Sequence, residues 1–450
     1  MRSTTRRSAL AVIGVTATVA ALAACGGGGG ESSSGGGGGG AGKTLTMLIG
    51  ANTQYPEDFA AWQKSISDKF KAQTGATVKF ETFASAQDEL TKIQTSVVSG
   101  QGPDVYAVGT TFTPTAFSTG AFVKLDEEAW QKVGGKNRFV PATLGISGPD
   151  ENNQVGIPWV SRPFVMAYNT ELLKAAGISK PASTWDELTQ QAKQMTKSGQ
   201  YGLAVAYKDN FDPWKFVWGM SIQAGNRLVE GKTVRIQDPT VKKAYQTYFG
   251  WVSTDKVVDP AAIGWSNTQA LAAFAKGKTG YFALTTPTAI NSLDQGAVKG
   301  KWSFALLPTV PPGASSRPAN GVEAASILSG DNLVVADYSK NKDLALQLVK
   351  LITEKDNQLE YYKKFGSMPA NAEALQTLTS DKRLAVVAEA AKKSVATPFT
   401  GAWGDIQLAL TNVAVQSLPD LASGGVNDAQ LDARLATAQK AAQSALARAK

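Results

Sequence analysis

Between Thr44 and Val108 the spacing of apolar residues alternates between the period of a strand and the period of a helix. Thr44 to Ile49 is a short β-rich run, after which Phe59, Trp62, Ile66 and Phe70 recur at helical spacing. A second strand is expected at Thr77 to Phe83, then a helix carrying Leu90, Ile93 and Val97, which Gly100 to Pro103 break before a third strand at Asp104 to Val108. This βαβαβ order is that of an open α/β sheet covered on both faces. Later segments extend the pattern. Pro158 to Asn169 reads as extended and leads into a helix at Thr170 to Ala176, and Thr184 with Glu187 in TWDEL forms a capping box for the next helix. Strand-like runs return at Thr279 to Leu284, Trp302 to Leu307 and near Leu333 to Ala336. Leu344, Leu348, Leu351 and Ile352 mark an amphipathic helix, and the tail from Asn427 is a long alanine-rich one with Leu431, Leu435, Ala442 and Leu446 on one side. No internal repeat is visible.

The chain has one cysteine, Cys25, and its surroundings are distinctive. Arg2, Arg6 and Arg7 precede an apolar run from Ala9 to Ala24 that is too short for a comfortable membrane span, so residues 1–24 read as a signal peptide. Leu22, Ala23 and Ala24 before Cys25 resemble the bacterial lipobox, which implies cleavage before Cys25 and lipidation of its thiol. The mature protein would then be anchored at the outer face of the cytoplasmic membrane. Residues 25–42 would serve as a glycine-rich leash. Thr5, Arg6 and Arg7 leave general secretion and twin-arginine export both open.

About 400 residues remain, enough for two medium cores, and two lobes are the expectation. No internal disulfide can form. Three of the 45 basic residues and none of the 37 acidic ones lie in the leader, so the net charge falls from +8 to +5 on its removal. No basic block argues for nucleic acid. The absence of histidine weakens Ser-His-Asp and Cys-His catalysis and most zinc sites, and no metal or cofactor is expected. A glycosidase needs only two carboxylates, but no paired-acid motif stands at a strand end. The expectation is therefore not an enzyme.

Several strings then fall in a recognisable order: GQGPDVYAV from Gly100, QVGIPWVSRPFVMAYNTELLKAAGI from Gln154, TWDEL from Thr184, FAKGKTGYFAL from Phe274, LLP from Leu306 and GDNLVVADYSKNKDLALQLVKLIT from Gly330. Together they resemble the extracellular solute-binding proteins of ABC importers, in the sugar-binding group that includes the maltose-binding proteins. The resemblance implies a type II periplasmic-binding-protein fold, α/β, with two lobes, each an open sheet flanked by helices, joined by three crossings. These should fall near Ile157 to Phe164, Phe304 to Thr309 and Val334 to Tyr338. Lobe one would be residues 43–157 plus 307–334, and lobe two residues 158–306 plus 335–450. It further implies a monomer that captures a sugar or oligosaccharide in the interlobe cleft and delivers it to an ABC permease. A peptide, polyamine or metal as the solute remains the nearer alternative; Tyr361 and Tyr362 resemble the tyrosine pairs used for ferric iron, but they lie in a helical pattern that should split them between core and surface.

Pyranose rings call for aromatic platforms rimmed by hydrogen-bonding groups. Of ten tryptophans, Trp62, Trp130, Trp185 and Trp251 sit in helical patterns and read as core. Matching motif to motif, Trp403 in PFTGAWGDI is the leading stacking candidate, followed by Trp159 and Arg162 at the first crossing. Arg162 could equally form a hinge salt bridge. Trp214, Trp218 and Trp265 are further candidates in lobe two. In lobe one, loops after strand ends offer Asn52, Gln54, Thr110 and Thr111; Asp331, ahead of the third crossing, is a further lobe-one candidate, with Glu323 expected to reach the cleft from the preceding loop.

Overall fold

The computed structural model of the protein describes residues 40–209, 212–378 and 381–449, so the leader, Cys25 and most of the glycine leash lie outside the described residues. The first βαβαβ unit forms as its periodicity requires: β1 (Thr44–Gly50), α1 (Pro56–Thr74), β2 (Thr77–Phe83), α2 (Ala86–Ser99) and β3 (Val105–Gly109). β1 pairs in parallel with both β2 and β3. The helices are bounded by local chemistry. α1 opens on Pro56, whose missing N–H is no loss in a first turn, and stops at Gly75 with φ 75°. α2 opens on Ser85, whose hydroxyl accepts the Asp88 N–H at 3.1 Å.

The remaining elements that place the site are β4 (Ile157–Ser161), β5 (Val165–Asn169), β6 (Tyr201–Ala204), α3 (Pro213–Gln223), β7 (Thr279–Thr285), β8 (Trp302–Ala305), β9 (Gly330–Val335), α4 (Lys342–Ile352), α5 (Lys355–Phe365), β10 (Met368–Pro369) and α6 (Trp403–Gln416). They complete two sheets, one of six strands in the order β10-β4-β9-β3-β1-β2 and one of four in the order β8-β5-β7-β6. The central strands of each sheet are buried on both faces, with side chains that largely alternate between two clusters. Leu45, Met47 and Ile49 of β1 join Trp62, Ile66 and Leu348, whereas Leu48 turns to Leu90, Ile93 and Tyr106. In the smaller sheet Met166 and Tyr281 face Trp185 and Trp403, while Ala167 and Phe282 face Phe274. Such double burial explains why the strands read as continuous apolar runs.

The first crossing lies where it was expected, between β4 of the larger sheet and β5 of the smaller. The other two differ. After β8 the chain stays with lobe two: the buried Gln223 amide donates to Pro308 O at 2.9 Å and Ala324 O at 2.8 Å, and the passage to lobe one comes only after Ile327, just before β9. Val334 to Tyr338 is not a crossing. β9 runs antiparallel to β3, with Asp331 opposite Gly109 and Val335 opposite Val105, so its carboxyl end lies at the far edge of the sheet from the cleft. The apolar stripes of α4 and α5 then bury Leu344, Leu348, Tyr361 and Phe365 against the larger sheet, and β10 pairs with β4. The chain stays with lobe one through Asn371, which bridges to Phe139 and bonds Thr353 O at 3.1 Å, and only beyond it returns to lobe two, where Leu384, Val387 and Ala390 pack. Most of the 335–370 segment that the sequence placed in lobe two therefore belongs with lobe one.

Candidate functional site

A cavity of about 390 Å³ opens between the sheets at the carboxyl ends of β1, β3 and β4. This is where an open α/β sheet presents its loops to a ligand. Asn52, Gln54, Thr110, Thr111, Arg162 and Asp331 all line it.

Arg162 and Asp331 form an ion pair at 2.5 Å, their side chains 25% and 19% exposed. The pair is thus a bridge at the hinge, and it lies in the cleft wall. Burial works against the guanidinium charge, and Asp331 more than offsets it, so Arg162 is held above its ordinary value. The close packing of β9 on β4 here requires Gly330, where a Cβ would lie 2.0 Å from Val160 O.

The other lobe-one side chains differ in how free they are. Thr110 is tied by its hydroxyl to Leu328 O at 3.1 Å, and the Asn52 carbonyl accepts the Gln54 and Tyr55 N–H groups in a local turn. The Gln54 amide reaches lobe two, at 3.3 Å from both Thr288 O and Ser292 Oγ, and the Tyr55 hydroxyl donates to Thr288 O at 3.0 Å. On another side Thr115 Oγ1 bonds Gly401 O at 3.2 Å and receives the Gly404 N–H at 3.3 Å. Both seams hold the lobes together around the cavity.

The tryptophans sort differently from the expectation. Trp159 lines the cavity but is 1% exposed, stacked on Trp62 at 5.7 Å and flanked by Tyr361 at 4.8 Å, so it is a wall and not an open platform. Trp214 lines the lobe-two side. Trp403 does not reach the cavity: it is 0% exposed and packs edge-on behind Trp214 at 5.8 Å, because the first turn of α6 is buried in the lobe-two core. Trp218, on the same helix as Trp214, turns into that core against a separate small void. Trp265 is half-buried against the lobe-two clusters, outside the cavity lining. Glu323 is exposed and paired with Lys393 at 2.9 Å, away from the cleft.

Further contributors stand outside the residues the sequence reading offered for sugar binding. Lys215, beside Trp214, pairs with Asp212 at 2.6 Å and lies 4.7 Å over the Phe164 ring. Asn267 donates to Asp212 at 2.8 Å, completing a polar patch in lobe two. Tyr361 of α5 comes to the cavity from a helix that reads as plain core, while Tyr362 packs toward lobe two. Glu89 of α2 lines the cavity from an inward helical stripe; its only signal is an acid one turn from Ala86 and Ile93.

The family of bacterial extracellular solute-binding proteins matches residues 52–359. The chain belongs to this family. It is 29% identical over 375 residues to the diacetylchitobiose binding protein DasA of Streptomyces coelicolor, a match covering 82% of each chain. The fold is shared with the maltose-bound MalE3 of T. maritima (TM-score 0.73, 20% identity, 88% of this chain and 99% of that one). It is shared too with the GacH receptor of Streptomyces glaucescens, solved unliganded and with acarbose (TM-score 0.70, 22% identity, 91% and 99%). The architecture is therefore the MalE-type two-lobed one. As a member of a solute-binding family with relatives named for binding, the chain is a binding protein and not an enzyme. Among the described residues no helix is long and apolar enough to cross a membrane.

Proposed function

We propose that this solute-binding protein is the capture component of an ABC importer, and that its solute is a sugar held between the lobes. The observation that carries the reading is the makeup of the cleft lining: the aromatic side chains of Trp214, Phe164, Trp159 and Tyr361 among hydroxyl, amide and paired charged groups, the combination that a pyranose with apolar faces and a polar rim calls for. A volume of about 390 Å³ is near the lower end of the small-molecule range, which suits a mono- or disaccharide better than a long chain. The names of DasA, maltose-bound MalE3 and the acarbose-binding GacH receptor point the same way.

Binding would act as a population shift. A ligand touching both walls favours the state in which the Gln54 and Thr115 seams are made, and an ABC permease would recognise that closed form. Anchoring at the outer membrane face through Cys25, ahead of a glycine leash, completes the proposed role of a tethered monomer. The test is a thermal-shift screen of the chain from residue 40 onward against mono- and disaccharides, peptides and polyamines, because a ligand that binds only the folded state raises its melting temperature. A sugar is expected to give the largest rise. A rise with peptides or polyamines alone would move the assignment to that class.

A further inference from the structure

The cleft wall contains an acid that neither charge pair uses. Glu89 is 3% exposed, and one carboxyl oxygen accepts the Gly109 N–H at 3.2 Å, the sole hydrogen bond of that carboxyl group among the described residues. The charged groups around it are already engaged. Arg162, at the end of β4, is bonded to Asp331, which faces Glu89 from β9 and repels negative charge there. α5 contributes the phenol of Tyr361, and α6 contributes the amide of Gln407, its nearby Asp405 being half-buried toward Arg448. Across the cleft Lys215 is held by Asp212, with Asp209 alongside, and on the outer face of α2 itself Asp88 pairs with Lys92.

A carboxylate with one neutral donor, an acidic neighbour and almost no water is a poor place for charge. Burial pushes Glu89 up, the Gly109 N–H opposes this, and Asp331 adds to it, leaving the group at about 8. We propose that Glu89 stands in the cleft as a neutral carboxylic acid and donates its proton in a hydrogen bond to an acceptor oxygen of the bound solute. The inference rests on the sugar reading for its ligand class: a hydroxyl, ring or acetamido oxygen can accept that bond, and an ammonium group cannot. Glu89 thereby favours uncharged, oxygen-bearing solutes over cationic ones.

The first test needs no ligand. Carbon-13 side-chain NMR of the glutamate-labelled chain from residue 40, with the Glu89 signal assigned by its loss in Glu89→Gln, is expected to show a midpoint near 8. A midpoint in the ordinary carboxylate range overturns the proposal. The second uses N,N′-diacetylchitobiose and maltose as probes in calorimetry. Wild-type affinity for whichever binds should fall about tenfold between pH 7 and pH 9, as the donor is lost with one proton. Glu89→Gln, whose amide still donates, should bind with an affinity that does not change over that range. A wild-type affinity that is flat or rises with pH overturns the donor role. If neither disaccharide binds at any pH, the sugar reading fails, and the ligand-free titration still decides whether Glu89 is the neutral acid.

Discussion

The two walls of the cleft are built by different means. On the lobe-one side the polar groups ride on loops directly after β1, β3 and β4, fixed by the sheet itself, with the Arg162–Asp331 pair bridging two neighbouring strands. On the lobe-two side they come from the start of α3 and from Asn267, which opens a later helix; Asp212 bonds both Lys215 and Asn267, Asp209 accepts the Asp212 and Asn267 N–H groups, and Trp403 braces Trp214 from behind. A strand end locates a side chain by topology alone. A helix start needs a core packed behind it, so a fully buried aromatic on that side, Trp403, supports the site without lining it.

The largest expected effect follows from that brace. Trp403→Ala empties a fully buried site in the lobe-two core and should lower stability by about 3–5 kcal/mol in urea denaturation. Trp214→Ala, also buried but lining the cavity, should lower stability too and in addition weaken sugar binding by about 1–3 kcal/mol, roughly tenfold to a hundredfold, in calorimetry. If Trp403→Ala kept full stability and lost affinity, the roles of wall and brace would be reversed.

The same difference governs what the sequence could reveal. The βαβαβ unit was legible because its strands and helices carry undiluted periods, and Asn52, Thr110 and Thr111 could be placed near the cleft because loops after strand ends are where such sheets present side chains to a ligand. The lobe-two site was not. Trp403 and Trp214 each open a helix, α6 or α3, and only the packing distinguishes the one buried in the core from the one at the cavity. The third crossing was misplaced because an apolar strand such as β9 carries no mark of its direction, and direction decides which end meets the hinge. Glu89 was passed over because one acid on an amphipathic helix reads as solvated surface until its neighbours are known.

On the lobe-one wall, stability should respond to pH through Glu89. Its native value is raised to about 8, so the folded chain holds this proton more tightly than the unfolded one. Its contribution is fully present below the ordinary carboxylate value of roughly 4.3 and is lost as pH rises through 8, at about 1.4 kcal/mol for each pH unit between those two values. Denaturation midpoints of wild type and Glu89→Gln should therefore diverge between pH 5 and pH 9, with wild type losing ground by a few kcal/mol. Parallel curves would mean that Glu89 ionises like a surface acid and that this wall tolerates charge.

Smaller still is the effect of breaking the strand-to-strand bridge. Arg162→Ala leaves Asp331 without its cation in a partly buried place. A fully buried pair broken in this way loses about 3–5 kcal/mol, and the residual exposure of these side chains brings the expectation down to about 2. Arg162→Ala combined with Asp331→Ala should recover part of the loss, since no unpaired charge remains. A double variant as unstable as the sum of the two single ones would deny any coupling between the strands at this point.

The smallest effect tests whether the walls communicate through their seam. Gln54 belongs to the lobe-one wall, yet its amide reaches Thr288 O and Ser292 Oγ in lobe two at 3.3 Å, long and partly solvated bonds that can add only about 0.5–1 kcal/mol between them. Those bonds exist only when the lobes meet, so their loss falls on the closed population and not on the folding of either sheet. Gln54→Ala should thus weaken sugar affinity by about twofold to fivefold in calorimetry, while its urea midpoint stays with the wild type. The Tyr55 hydroxyl, 3.0 Å from Thr288 O and from Ser292 Oγ, keeps part of the seam in place, which is why the loss is small. Tyr55→Phe together with Gln54→Ala should deepen it. If affinity is unchanged in the double variant, closure does not depend on this edge, and the Thr115 contacts to Gly401 and Gly404 must hold the lobes by themselves.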